Sequence, residues 1–91
     1  MAEDGVIQAT LAVYPLDQAG NAAIDRALEA IAASGVSYET RSMQTEVMGT
    51  PEAVFEAIRA AYDAAAAAGG VVLTTTISNA CPLPAGAVQE E

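Results

Sequence analysis

The sequence contains no histidine, no lysine and no tryptophan, and its single cysteine is Cys81. Without histidine, Ser-His-Asp and Cys-His catalytic sites are excluded, as are histidine-ligated metal sites. One cysteine can form neither an internal disulfide nor a CxxC motif, which is typical of a reducing compartment. Because no carboxylate pair has a spacing suited to general acid–base catalysis either, we expect a non-enzymatic protein without metal or cofactor.

Positive charge is also scarce, since three arginines stand against 12 acidic residues and the formal net charge is -9. Such a chain repels nucleic acids and anionic membrane surfaces and attracts small cations. The first residues, MAEDGVIQ, lack the apolar core of a secretory signal. No apolar run approaches the roughly 20 residues that a membrane span needs. We therefore expect a cytoplasmic protein that binds neither nucleic acid nor membrane.

The length of 91 residues predicts one domain over residues 1–91, with an ordered core of about 6–82 and acidic tails at 1–5 and 83–91. A domain of this size buries only about 60% of the surface of its unfolded chain, so self-association would stabilise it.

Hydrophobic periodicity divides the core into six elements. Alternating patterns predict strands at Val6–Tyr14, Val36–Arg41, Met43–Met48 and Val71–Ser78. Helical spacing predicts one helix at Asn21–Ser34 and another between Thr50 and Gly69. The order β-α-β-β-α-β predicts an α+β, ferredoxin-like sandwich in which two helices cover one face of a four-stranded antiparallel sheet.

The sequence also predicts where these strands and helices end and which residues lie on each of their faces. Pro15 is expected to end the first strand, and Asn21 and Thr50 are expected to cap the helices. The predicted apolar stripes are Ile24, Leu28 and Ile31 on the first helix, and Val54, Phe55, Ile58, Ala61, Tyr62 and Ala65 on the second. The uncovered sheet face is semi-polar, suits an oligomer interface, and is predicted to carry Gln8, Thr10, Tyr14, Gln44, Thr74 and Thr76.

A few polar residues are candidates for ligand contacts. Thr45 and Thr75 are predicted to point into the apolar layer, where a hydroxyl needs a hydrogen-bond partner in the protein or in a ligand. Tyr14 either packs at the sheet margin or stacks on a flat heterocycle. Three carboxylates either remain solvated or meet a cationic ligand: Asp17, Asp25 and Glu46.

Three segments carry a resemblance to a known family: LAVYPL (Leu11–Leu16), SMQTEVMGTPEAVFEAIRAAYDAA (Ser42–Ala65) and TISNACP (Thr76–Pro82). Together they resemble the YkoF-type thiamine/hydroxymethylpyrimidine-binding family over about Gln8 to Pro82. The resemblance implies a ferredoxin-like fold, no catalysis, and binding of thiamine or its hydroxymethylpyrimidine half. It also implies a role in salvage beside a transporter system. Since the chain holds one copy of the domain, it implies a homodimer or homotetramer.

The resemblance also implies site residues. Thr45 matches the threonine of the middle-strand motif and should contact the ligand, Val13 and Tyr14 should line the same pocket, and Ser78 matches the last-strand serine. Two segments depart from the broader group. Arg41–Thr45 (RSMQT) stands where Gly-Pro-Met-Gly-Thr is frequent, and Ser78–Pro82 replaces a charged Asp-Asp-Arg stretch. The first departure alters residues around Thr45 and so bears on the ligand.

Two further hypotheses remain open. The domain could be a structural or regulatory homo-oligomer without a small ligand, which a solidly packed interior would favour. It could also be an enzyme that uses carboxylates, tyrosine, serine, threonine or Cys81. The sequence favours the binding protein, with Thr45, Val13, Tyr14, Ser78 and Thr75 as candidate ligand contacts.

Overall fold

The computed structural model describes residues 5–18, 20–41 and 44–80. Its elements, in chain order, are β1 (Ile7–Leu16), α1 (Ala22–Ala33), β2 (Ser37–Thr40), β3 (Thr45–Gly49), α2 (Pro51–Ala65) and β4 (Gly70–Ser78), with a 3-10 turn at Ala66–Ala68. The predicted β-α-β-β-α-β order is confirmed. The expectations for Met43, Cys81, Pro82 and the acidic tails fall outside the described residues.

The four strands form one antiparallel sheet in the order β2-β3-β1-β4. β2 therefore occupies one edge of the sheet and β4 occupies the other. Both helices pack on the same side of the sheet, which confirms the ferredoxin-like α+β fold. Neither helix, among the residues described, is long and apolar enough to cross a membrane.

The core lies between the helices and one face of the sheet. On β1, Ile7, Ala9 and Leu11 are buried, and Val47 on β3 packs beside them. The helices supply mainly small side chains to this core: Ala23, Ala27, Ala57, Ala61 and Ala65. Alanines at these positions allow the helices to approach each other and the sheet closely.

The predicted apolar stripes are only partly correct. Ile31 and Val54 are buried as expected, whereas Phe55 is 54% exposed and Tyr62 is 50% exposed. The buried face of α2 runs through Val54 and the alanines three, seven and eleven positions further on. Phe55 and Tyr62 each lie one position beyond that row, so they turn toward solvent.

The N-cap positions of both helices are as the sequence predicts, but only one of the two side chains forms a capping hydrogen bond. Thr50 Oγ1 accepts a hydrogen bond of 3.2 Å from the Ala53 N–H, and Pro51 opens α2. Gly35 follows α1 with φ of +84°, a conformation that favours glycine. Asn21 occupies the N-cap position of α1 as expected, but its side chain makes no capping hydrogen bond.

The expectation that Pro15 ends the first strand is also wrong. β1 continues to Leu16, with Pro15 opposite Val71 and Leu16 opposite Gly70. β3 stops pairing with β1 at Leu11, so no described strand lies on that side of β1 at Pro15. Proline is tolerated where one side of a strand is an unpaired edge.

The face of the sheet opposite the helices, here called the open face, carries cross-strand pairs such as Thr10 with Thr76 and Ala12 with Thr74. At one end it exposes larger apolar side chains, since Tyr14, Leu16 and Val72 are 48%, 49% and 45% exposed. The open face is therefore semi-polar, as the alternation predicts.

Candidate ligand-binding site

A cavity of about 140 Å³ lies between α1 and the adjoining ends of β1, β2 and β3. Its walls are largely apolar and are formed by Leu11, Val13, Ile24, Ala27, Leu28 and Ile31. Ala27 on α1 leaves room for this space because its side chain is only a methyl group, and Thr40 is the one described β2 residue that borders it.

Thr45 supplies a polar group to this apolar space. It begins β3, lies opposite Leu11 on β1, and is 6% exposed, the one buried polar residue among those described. Its side chain forms no hydrogen bond with another described residue. Thr45 is one of the residues that line the cavity.

The main chain of β1 provides further polar groups. β1 pairs with β3 as far as Leu11, but with β4 as far as Leu16. From Ala12 onward, the β3-facing side of β1 has no strand partner in the part of the chain that the structure describes. Ala12 and Val13 line the cavity at this point. A strand edge offers alternating N–H donors and C=O acceptors to whatever lies beside it.

The mouth of the cavity is formed by its exposed lining residues, Thr40, Arg41 and Gln44. The Arg41 N–H donates to the Gln44 carbonyl over 2.7 Å, which closes the connection between β2 and β3. Gln44 was expected on the open face. That expectation is wrong because β3 begins one residue later, so Gln44 belongs to the connection and turns toward the cavity.

The structure brings two of the five candidate contact residues together. Thr45 and Val13 both line the cavity. Tyr14 lies opposite Val72 on the open face, and Ser78 lies there opposite Gln8, with its Oγ accepting from the Ala80 N–H at 2.9 Å.

Thr75 lies outside the cavity as well. It pairs with Leu11 and therefore faces the helix side, as predicted. It is nevertheless exposed, so the expectation that it enters the apolar layer is wrong. The reason is that β4 is an edge strand, whose outer side neither helix covers at Thr75.

Carboxylates are absent from the described lining of the cavity. Asp17 and Asp25 are exposed, and Glu46 pairs with Arg41 through a 3.3 Å contact. Within the described ranges, no group of three or more Cys, Asp or Glu side chains could hold a metal ion. The chemistry of the cavity is thus that of an apolar space with a hydroxyl, a strand edge and one arginine.

The sequence did not predict that residues of α1 form part of the cavity wall, or which residues form its mouth. Ile24 and Leu28 were expected as core residues, but they are half-buried and form cavity wall. Arg41 and Gln44 occupy two positions where the resembling group has glycine. That departure was the sequence signal that could have identified them as lining residues.

Comparison with known proteins finds a matching family model and solved structures with a similar fold. A family model described as thiamine-binding protein matches residues 9–79. A domain of unknown function, DUF77, from Bacillus cereus is similar in structure at 25% identity, with a TM-score of 0.73 over 80% of this chain and 74% of that chain. Among curated proteins, none matches the sequence.

Two other solved structures share the fold. A hypothetical protein from Methanocaldococcus jannascii is 19% identical, with a TM-score of 0.74 over 81% of this chain and 79% of that one. A Thermotoga maritima protein, described as a candidate for thiamine biosynthesis or salvage, is 25% identical, with a TM-score of 0.69 over 79% and 81% of the two chains. Since the family model covers residues 9–79 of the 91, this chain belongs to the thiamine-binding protein family.

Proposed function

We propose that the protein binds thiamine or its hydroxymethylpyrimidine half without catalysing a reaction, and that the pyrimidine ring occupies the cavity beside Thr45. The single observation that carries this proposal is that Thr45, a buried polar residue whose side chain forms no hydrogen bond with another described residue, lines an apolar space of about 140 Å³. Membership of the thiamine-binding family supports a ligand of this class.

The size of the cavity favours one ring over two. A cavity of roughly 150 Å³ in another protein accommodates benzene, a single six-membered ring. A pyrimidine ring therefore suits the volume of about 140 Å³. The thiazolium ring of intact thiamine would lie at the mouth, near Thr40, Arg41 and Gln44.

The polar groups of the cavity also suit an aminopyrimidine. Such a ring carries amino N–H donors beside ring nitrogen acceptors. The edge of β1 at Ala12 and Val13 presents main-chain donors and acceptors, and the Thr45 hydroxyl can act as either. A few placed polar groups in an otherwise apolar pocket are typical of sites for flat heterocycles.

A binding role also fits the chemistry of the lining. The chain has no histidine, and no described carboxylate lines the cavity, so no general acid or base is at hand there. We therefore assign the site to binding. The same proposal places the protein in the cytoplasm, where it would support thiamine or hydroxymethylpyrimidine salvage beside a transporter system.

As part of the same proposal, the protein self-associates. The exposed apolar end of the open face, formed by Tyr14, Leu16 and Val72, suits contact with a second copy. A homodimer or homotetramer would add stability to a small domain. The alternative of a homo-oligomer without ligand predicts a solid interior, and the cavity beside Thr45 favours the binding protein instead.

Calorimetric titration and thermal melting with thiamine and hydroxymethylpyrimidine test the proposal. At about 100 times the Kd, a ligand that binds only the native state stabilises it by about 2.7 kcal/mol. For a domain of this size that corresponds to a rise in Tm of roughly 10 °C or more. Absence of heat and of any Tm shift at millimolar concentrations of both ligands would refute the proposal.

A substitution that fills the cavity tests whether the ligand binds there. Leu28→Phe enlarges a half-buried wall residue and is expected to weaken binding at least tenfold, since the added ring volume competes with the ligand. Ile77→Phe introduces the same ring at an exposed position on β4, outside the cavity and outside the proposed self-association surface, and should bind as the wild type does. Equal affinities of the two variants would show that the ligand binds elsewhere.

A further inference from the structure

Arg41 is the only ionisable residue among the described residues that line the cavity. It follows β2 directly, and its main-chain hydrogen bond to Gln44 fixes its position at the mouth. Its side chain is 51% exposed, so the guanidinium is accessible from solvent while still bordering the cavity. A ligand that extends out of the cavity therefore passes a permanent positive charge.

Two carboxylates hold this guanidinium in place. Arg41 Nη2 lies 3.3 Å from Glu39 Oε1, and Arg41 Nε lies 3.3 Å from Glu46 Oε2. Glu39 and Glu46 are direct cross-strand neighbours, so their like charges repel and the arginine between them offsets that repulsion. Neither carboxylate lines the cavity. Of these three charged residues, Arg41 is therefore the one that borders the ligand space.

The other two arginines, Arg26 and Arg59, are not among the described residues that line the cavity, and both pair with other groups. Arg26 Nε donates to the Ala64 carbonyl over 2.9 Å, and its Nη2 donates to Gln18 Oε1. Arg59 lies 3.7 Å from Asp63, one turn further along α2. Arg41 is thus the one arginine that borders the cavity in the part of the chain that the structure describes, while Glu39 and Glu46 offset its charge.

We infer that Arg41 makes the mouth selective for an anionic group on the ligand, so that a phosphate ester is bound in preference to the free alcohol. This inference rests on the proposed function, because it needs a ring in the cavity and a second part of the ligand at the mouth. Guanidinium and phosphate form paired, charge-assisted hydrogen bonds. An arginine already held by Glu39 and Glu46 loses little further side-chain freedom on binding one.

The test compares thiamine with thiamine monophosphate, two ligands that differ only in the phosphate. Wild-type protein is expected to bind the ester about two- to fivefold more tightly, the range of a half-exposed ion pair. The preference should shrink as salt is raised. Arg41→Gln should abolish it, while Arg41→Lys should keep part of it because the charge remains.

Arg59→Gln is the matched control, since it removes the same charge from the protein at a position outside the cavity. It should leave the preference for the ester unchanged. Circular dichroism melts of every variant establish that it is folded, and Arg41→Lys still gives an answer if Arg41→Gln unfolds. Inorganic phosphate alone is titrated as well, and we expect it to bind far more weakly than the ester.

The outcomes separate this inference from the proposed function. If the wild type binds neither thiamine, nor its ester, nor hydroxymethylpyrimidine, the proposed function is wrong. If both bind equally, or if the ester preference survives in Arg41→Gln, the charge selection is wrong while the proposed function stands. Binding of inorganic phosphate as tight as that of the ester would also overturn the inference, because the ring would then contribute nothing.

Discussion

Replacing Thr45 with valine should weaken ligand binding without weakening the fold. Valine keeps the β-branched shape that suits β3 and replaces the hydroxyl with a methyl group. In the free protein that hydroxyl has no hydrogen-bond partner among the described residues, so its removal breaks no hydrogen bond to any of them. An unpaired polar group in an apolar site is itself unfavourable. The free energy of unfolding should therefore stay the same or rise by up to about 1 kcal/mol.

The loss in affinity follows from one hydrogen bond between neutral groups. Such a bond contributes about 0.5–1.5 kcal/mol, and about 1.4 kcal/mol corresponds to a tenfold change in Kd. Thr45→Val should thus raise the Kd for hydroxymethylpyrimidine by roughly two- to twelvefold. Isothermal titration calorimetry measures this change, and urea unfolding measures the accompanying stability.

Thr75→Val is the control for this substitution. Thr75 faces the helix side of the sheet as Thr45 does, but it is exposed on the edge strand and lies outside the cavity. Its replacement should change the Kd by less than the error of the titration. The reasoning is refuted if Thr45→Val binds as tightly as the wild type, or if Thr75→Val is the variant that loses affinity.

Two further predictions concern the packing of α2. Arg26→Ala removes hydrogen bonds to the Ala64 carbonyl and to Gln18 Oε1, and should lower the free energy of unfolding by roughly 2 kcal/mol in a urea titration. An unchanged unfolding midpoint would contradict this. Thr50→Ala removes the side-chain cap on the Ala53 N–H and should lower the Tm by about 5 °C. Thr50→Ser keeps a hydroxyl group at the cap position and should retain most of the stability.

The sequence predicted the fold because its strongest signals are local. Alternation along β1 and the Thr50-Pro51-Glu52 start of α2 depend on residues close together in the chain. The errors arose where distant elements decide the outcome. Pro15 is accommodated because β3 has already ended, and Thr75 is exposed because nothing covers the β4 edge.

The site was less predictable than the fold for the same reason. Strand parity was enough to direct Thr45 toward the helices. The cavity beside it, however, depends on how α1 packs over the sheet, which set Ile24 and Leu28 as walls rather than core. Arg41 and Gln44 reach the mouth only through the geometry of the connection between β2 and β3.

The central claim is that the space beside Thr45 binds an aromatic ring. A crystal structure of the protein with hydroxymethylpyrimidine tests it most directly. We predict the ring between α1 and the edge of β1, within hydrogen-bond distance of Thr45 Oγ1 and of main-chain groups at Ala12 or Val13. A ring bound on the open face near Tyr14, or an empty cavity at saturating ligand, would contradict it.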